Sequence, residues 1–263
     1  MLKSGERRSL LLSLNRLSLK TKYMNKVLDV FTNGSSIGDE DIRGKTVVVI
    51  DILRATSTIL TALNNGARSV IPVEDMGTAG KIATNLDPSS YILCGEKDGK
   101  KIDGYELGNS PFEYDEATVA GKSLILNTTN GTKTLVRCMH GSKVYIAGFL
   151  NLKAVCDQLK DDPNEISIVC SGWKGRLSLE DVLCAGYIVS EVYGGTIPVE
   201  AKDGAKVAMG LYEQFGKDIF NTVHATNHAK RLIGLGFEED IAYCCQIDKF
   251  DFAPEFKEGI IRK

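Results

Sequence analysis

The chain has 263 residues, 43% of them hydrophobic and 25% charged, proportions typical of a folded globular protein with room for one large domain or two closely packed lobes. Its formal charge of −2 is uneven, because the first 26 residues carry seven Lys and Arg against one acid while the remainder carries 25 against 33. An acidic body argues against non-specific nucleic-acid binding, which needs a basic face to replace phosphate counterions, and no apolar run approaches the roughly 20 residues that span a bilayer.

Residues 1–23, with Arg7, Arg8, Arg16 and the apolar Leu10-Leu11-Leu12, read as a basic, disordered extension or as a start placed ahead of a true beginning at Met24. The apolar stretch is too short and too interrupted for a secretory signal. The expected catalytic domain is 24–263.

From Lys45 onward one grammar repeats: a β-branched run, a polar turn, then helical spacing. Thr46–Ile50 predicts a strand and Ala55–Leu63 a helix, closed by Asn64-Asn65-Gly66 in the usual left-handed stop. Further strands are predicted at Ser69–Val73, Tyr91–Cys94, Ser123–Leu126, Lys143–Ala147 and Ile166–Cys170, with helices from Thr132, through Leu159, from Leu179 and over Asn227–Leu235. Strands that are apolar on both faces and alternate with helices imply a three-layer α/β/α fold around a mainly parallel or mixed sheet. Ligands of such sheets sit at the carboxyl ends of the strands, so the residues just after each strand are the candidates.

The first strand is followed by Asp51-Ile52-Leu53-Arg54-Ala55-Thr56-Ser57-Thr58, a carboxylate, a guanidinium and hydroxyls at a helix start, where backbone N–H groups also favour anions. The alternative is that Asp51 only caps the helix and pairs with Arg54. After the third strand comes Glu96, and Tyr105–Pro111 reads as an ordered loop with donors at Asn109 and Ser110. The turn Asn127–Thr132, with Asn130, Gly131 and Thr132, can point several N–H groups at an oxyanion or can simply cap the next helix. Ser178 and Asp181 fit a capping box, whereas Glu180 falls beside the sheet edge that carries Asp51.

Two other chemistries are visible. Cys170 and Arg176 have the C-x5-R spacing of cysteine-dependent phosphatases, although Val169 stands where a histidine is expected. His224 and His228, four apart, can share a helix face and hold a metal, but with Lys230 and Arg231 adjacent they read as a solvated face. The seven cysteines show no paired C-x-x-C spacing, which predicts reduced buried thiols, a cytoplasmic setting and no zinc.

Taken together, Val48–Thr58, Gly95-Glu96, Leu107–Pro111, Thr128–Thr132 and Ser178–Asp181, in that order, resemble the 2-phosphosulfolactate phosphatases from about Lys26 to the end, as does Asp240 with Tyr243-Cys244. The similarity begins near Met24, which agrees with a misplaced start. The resemblance implies an Mg2+-dependent hydrolysis of 2-phospho-3-sulfolactate to 3-sulfolactate and phosphate, a step that feeds coenzyme M in archaea. It implies Asp51, Glu96 and Glu180 as catalytic and metal residues, with Asp181 beside them. Arg54, Ser57, Asn109, Asn130, Gly131, Thr132 and Ser178 are then expected on the substrate, and water or Asp51 as the nucleophile. Lys174-Gly175-Arg176 departs from the family, which tends to small or acidic residues there. The rivals are a Cys170 and Arg176 enzyme and a non-catalytic anion-binding module. A small anionic ester is the expected partner, without nucleic acid or membrane, and an assembly of identical chains is left open.

Overall fold

Residues 26–263 are described by a computed structural model, so the basic segment at 1–23 lies outside the described residues. Strand β1 is Leu28–Phe31, and the short helix α1 (Asp39–Ile42) leads to β2 (Thr46–Ile50) and α2 (Ala55–Asn64). Next come β3 (Ser69–Val73), α3 (Met76–Ala83), β4 (Tyr91–Lys97), β5 (Lys100–Lys101), α4 (Glu116–Val119), β6 (Ser123–Asn127) and α5 (Gly131–Arg137). The chain continues through β7 (Lys143–Ala147), α6 (Leu152–Lys160), β8 (Ile166–Cys170) and α7 (Leu179–Val192). Helices α8 (Asp203–Phe215), α9 (Ile219–His224), α10 (Asn227–Ile233) and α11 (Glu238–Cys244) precede the hairpin β9 (Glu255–Lys257) and β10 (Ile260–Arg262).

All five residues of β2 are buried, and the reason is alternation. Val48 and Ile50 enter one apolar cluster with the inner faces of α6, α7 and α8, while Val47 and Val49 enter another, which includes Ile59 and Leu63 of α2. Successive side chains of a strand point to opposite faces, so a strand covered on both sides needs the continuous apolar run seen in the sequence. Strand β6 repeats this, with Leu124 and Leu126 on one side and Ile125 on the side closed by α3.

The sheet has ten strands in the order β1-β8-β2-β7-β9-β10-β3-β6-β4-β5. Two parallel groups stand out, β1-β8-β2-β7 and β3-β6-β4. The C-terminal hairpin is inserted between them, with β9 antiparallel to β7 and β10 antiparallel to β3. The two groups therefore run in formally opposite senses. Six strand steps separate β2 from β4, and at the usual twist of roughly 20–25° per step the second group is turned far enough for its carboxyl ends to face those of the first.

The expected strands over 46–50, 69–73, 143–147 and 166–170 coincide with those observed, and β4 and β6 run slightly longer than expected. Strand β1 and the hairpin have no counterpart in the sequence reading. They are too short for periodicity to register. Among the described residues no helix is long and apolar enough to cross a membrane, and all seven cysteines are unpaired and buried.

Candidate active site

Register sets the starting point. Ile50 lies level with Ala147 on one side and Cys170 on the other, so the chain leaves β2 beside the end of β8, where the Ser171 N–H donates to the Ile50 carbonyl at 2.8 Å. Asp51 is the first residue beyond the strand. Its Oδ1 accepts the Ala55 N–H at 3.3 Å, so Asp51 does cap α2, but with one oxygen only. The other lies against Gly131 on the start of α5, where a methyl group would sit 2.7 Å from Asp51 Oδ2 and 2.5 Å from the Ala55 side chain. Glycine at 131 is what lets this carboxylate stand between two helix starts.

Burial pushes the Asp51 carboxyl up to about 6; His228 opposes this, while Glu96 and Glu180 add to it. Asp181 is likewise pushed well above the carboxylate range, by burial first and then by Asp51 and Glu180. Its two oxygens accept the Ile52 N–H at 2.9 Å and the Gly172 N–H at 3.2 Å, so Asp181 ties the end of β2 to the turn after β8. This differs from the expected ligand role, because both oxygens are already engaged by backbone.

Glu96 comes from the other strand group. Gly95, at φ 141°, permits its position, since any side chain there would strike the Asn127 carbonyl. Glu96 Oε1 accepts the Thr129 N–H at 2.7 Å, and Oε2 accepts the Gly99 N–H at 2.6 Å and the Thr129 hydroxyl at 3.0 Å. Three donors hold a carboxylate in place as a brace between two loops.

Asp51, Arg54, Glu96, Asn109, Thr129 and Asn130 line one cavity of about 270 Å³, which Trp173, Lys174, His228 and Arg231 also line. Asn109 Oδ1 is buried and has no hydrogen-bond partner. Arg54, expected on the phosphoryl group, is buried and ion-paired with Asp240, donates to the Gly99 carbonyl at 3.1 Å and stacks over Phe237 at 4.1 Å. Asp240 also accepts the Ser110 hydroxyl at 2.7 Å. Arg54 thus anchors the wall, and its charge is largely balanced within the protein.

Of the remaining expected donors, Ser57, Thr132 and Ser178 do not line the cavity. The Ser57 hydroxyl donates to the Ile52 carbonyl at 2.9 Å, that of Thr132 exchanges bonds with Thr128, and that of Ser178 caps α7 at the Asp181 N–H. Within the Asn127–Thr132 turn, Thr128, Thr129 and Thr132 have their N–H groups engaged; Asn130 lines the cavity, and the buried Gly131 lies against Asp51.

Glu180 stands one layer back, on an adjoining cavity shared with Trp173 and His228. Its Oε1 is 2.9 Å from His228 Nδ1, while Oε2 is buried without a partner. Sequence reasoning placed His228 on a solvated face. Folding instead brings α10 over α7, so that His228 meets Glu180 and stacks on Trp173 at 5.1 Å, whereas His224 pairs with Glu238 at the surface. The spacing of the histidines gave no hint of this, because Glu180 is 48 residues away. Among the described residues no three His, Cys, Asp or Glu side chains form a ready-made metal site.

The cysteine alternative loses its basis. Cys170 is fully buried and its thiol is pushed well above the ordinary range by burial and by Asp181, so the neutral thiol is the form present, and Arg176 is exposed on the far side of a turn. A thiolate nucleophile needs the opposite setting, exposed and electropositive.

A family model described as 2-phosphosulpholactate phosphatase matches residues 33–259. A protein of Caldanaerobacter subterraneus subsp. tengcongensis is 39% identical over 235 residues, covering 89% of this chain and 97% of its own. One from Clostridium novyi is 40% identical over 236 residues, covering 90% and 99%. A third, from Pseudothermotoga lettingae, is 44% identical over 212 residues, covering 80% and 89%. All three bear the name "Probable 2-phosphosulfolactate phosphatase".

Proposed function

The chain belongs to the 2-phosphosulfolactate phosphatase family of phosphoric monoester hydrolases, and from this premise we propose that it hydrolyses 2-phospho-3-sulfolactate to 3-sulfolactate and phosphate, with Mg2+ as cofactor. The observation that carries the reading is the meeting, in one small cavity, of the half-engaged Asp51 carboxylate with Asn130 and with the basic Lys174 and Arg231.

The donor set suits a hard cation. Mg2+ is commonly held by one or two carboxylates together with substrate phosphate and water, without a full cage of protein ligands. Asp51 and the unpartnered Asn109 Oδ1, which share this cavity, are the groups that would hold it, with the unpartnered Glu180 Oε2 on the adjoining cavity. Buried acids raised by acidic neighbours, as Asp51 is by Glu96 and Glu180 and Asp181 is by Asp51 and Glu180, are eased by a neighbouring positive charge. Bound there, the ion would supply charge neutralisation for the transferring phosphoryl group, which is the main need of that reaction.

The chain's own residues do the rest. Asn130 and Gly131 present N–H groups to the phosphoryl oxygens, and Glu96 holds their loop through Thr129. Hydrolysis joins a water oxygen to phosphorus and breaks the bond from phosphorus to the ester oxygen, which takes up a proton. In this reading Asp51 receives the proton that the attacking water gives up.

Phosphate release from 2-phospho-3-sulfolactate, assayed with Mg2+ and with excess EDTA, tests the proposal. Release that EDTA abolishes and Mg2+ restores is expected. Release indifferent to EDTA would remove the metal; tight binding with no release would leave only an anion-binding module.

A further inference from the structure

With Arg54 committed to Asp240, the cavity's remaining lysine and arginine are exposed ones. Lys174 and Arg231 both line it, and among the described residues neither is in a salt bridge. Asp98, the other acid of the lining, is within ion-pair distance of neither. Unbalanced charges at a cavity mouth attract an anionic ligand and orient it.

Lys174 is also fixed in place. Residues 173–176 form a two-residue turn in which Trp173 and Arg176 exchange backbone hydrogen bonds at 2.9 and 3.0 Å, and Lys174 and Gly175 have φ of 52° and 70°. Two positive φ values in succession belong to a type I′ turn, a conformation that costs a lysine something to adopt. Its ammonium lies 4.7 Å over the Trp173 ring, and Trp173 rests on His228. Lys174 is therefore held at the rim on a stacked support, while Arg231 projects from α10 three residues beyond His228.

Resting on the phosphatase reading above, we infer that Lys174 and Arg231 clamp the non-reacting end of the ester, its paired sulfonate and carboxylate, and so select esters whose tail carries two negative charges. Asp51 and the Asn130-Gly131 turn take the phosphoryl end. The two residues are specificity determinants and touch no reacting atom.

Trp173 is the chain's single tryptophan and sits within this clamp, so its fluorescence reports tail binding without turnover. In Mg2+ buffer, 3-sulfolactate should give a saturable change, with lactate, which lacks the sulfonate, binding about tenfold more weakly. Lys174→Gln and Arg231→Gln should each weaken 3-sulfolactate binding about tenfold with the melting temperature unchanged, and should bring it toward lactate. In turnover both variants should raise KM for 2-phospho-3-sulfolactate while kcat and the hydrolysis of p-nitrophenyl phosphate, which has no anionic tail, stay within about twofold. Equal affinities in wild type and variants, or no saturable signal with 3-sulfolactate, would overturn the clamp. Tail binding without phosphate release would instead overturn the phosphatase reading and leave the clamp standing.

Discussion

The two parallel strand groups each deliver one carboxylate to the same cavity, and they treat it differently. Asp51, after β2, has one oxygen loosely engaged and the other standing in a gap kept open by Gly131. Glu96, on β4, has both oxygens taken by three donors from Thr129 and Gly99. What separates the two is engagement: Asp51 keeps an oxygen free of hydrogen-bond donors inside the cavity, whereas Glu96, saturated with donors, is a structural brace. The sequence alone offered both as metal ligands.

Removing Asp51, the proposed reactive carboxylate, is expected to have the largest effect. Asp51→Asn should lower kcat/KM for phosphate release by about a thousandfold or more, which by transition-state arithmetic is at least about 4 kcal/mol. It should also raise stability. The folded-state pKa of Asp51 is about 6 against an ordinary 3.8, so ionised Asp51 weakens the fold, fully above about pH 6 and not at all below about pH 4. The gain in melting temperature of Asp51→Asn, measured in EDTA, should therefore be larger at pH 8 than at pH 4. Near-normal turnover would break the distinction between the two groups.

Next in size is Gly131→Ala, whose methyl would press on Asp51 Oδ2 and Ala55. A displaced reactive group of this kind costs on the order of a hundredfold in rate, and steady-state kinetics should show it in kcat. Glu96→Gln sharpens the contrast from the other side. The amide keeps one acceptor oxygen where three donors need two, an expected cost of about 1–3 kcal/mol. Its melting temperature should fall by several degrees, with a smaller loss of kcat than Asp51→Asn. The smallest effect belongs to Cys170→Ala: hydrolysis should stay within about twofold, and iodoacetamide at pH 8 should leave the wild type active because the buried thiol stays protonated. Inactivation on alkylation at Cys170 would restore the thiolate reading.

The reading from residues alone recovered what periodicity encodes. Strands such as Thr46–Ile50 and Ile166–Cys170 are apolar on both faces, and this pattern put Asp51 just past the carboxyl end of a strand, where the structure also has it. Contacts distant in sequence carry no local signal. Nothing near Arg54 announces Asp240 as its partner, and nothing near His228 announces Glu180. Short hydroxyl-rich turns misled for a related reason: Ser57, Thr132 and Ser178 look like ligand donors, but each satisfies backbone a few residues away, the local competition for which serine and threonine are suited.

The hairpin β9 and β10 has a bearing on how the protein is made. It joins the strand groups, pairing with β7 through Glu255 and with β3 through Ile261, and both its strands come from the final stretch of the polypeptide. Until a ribosome has released that stretch, the halves of the sheet have no bridge, and pairings so remote in sequence form late. A nascent chain halted before residue 255 would already contain Asp51 and Glu96 yet lack the keystone that joins their strand groups, so catalytic competence should arise abruptly once residues 255–262 have been made.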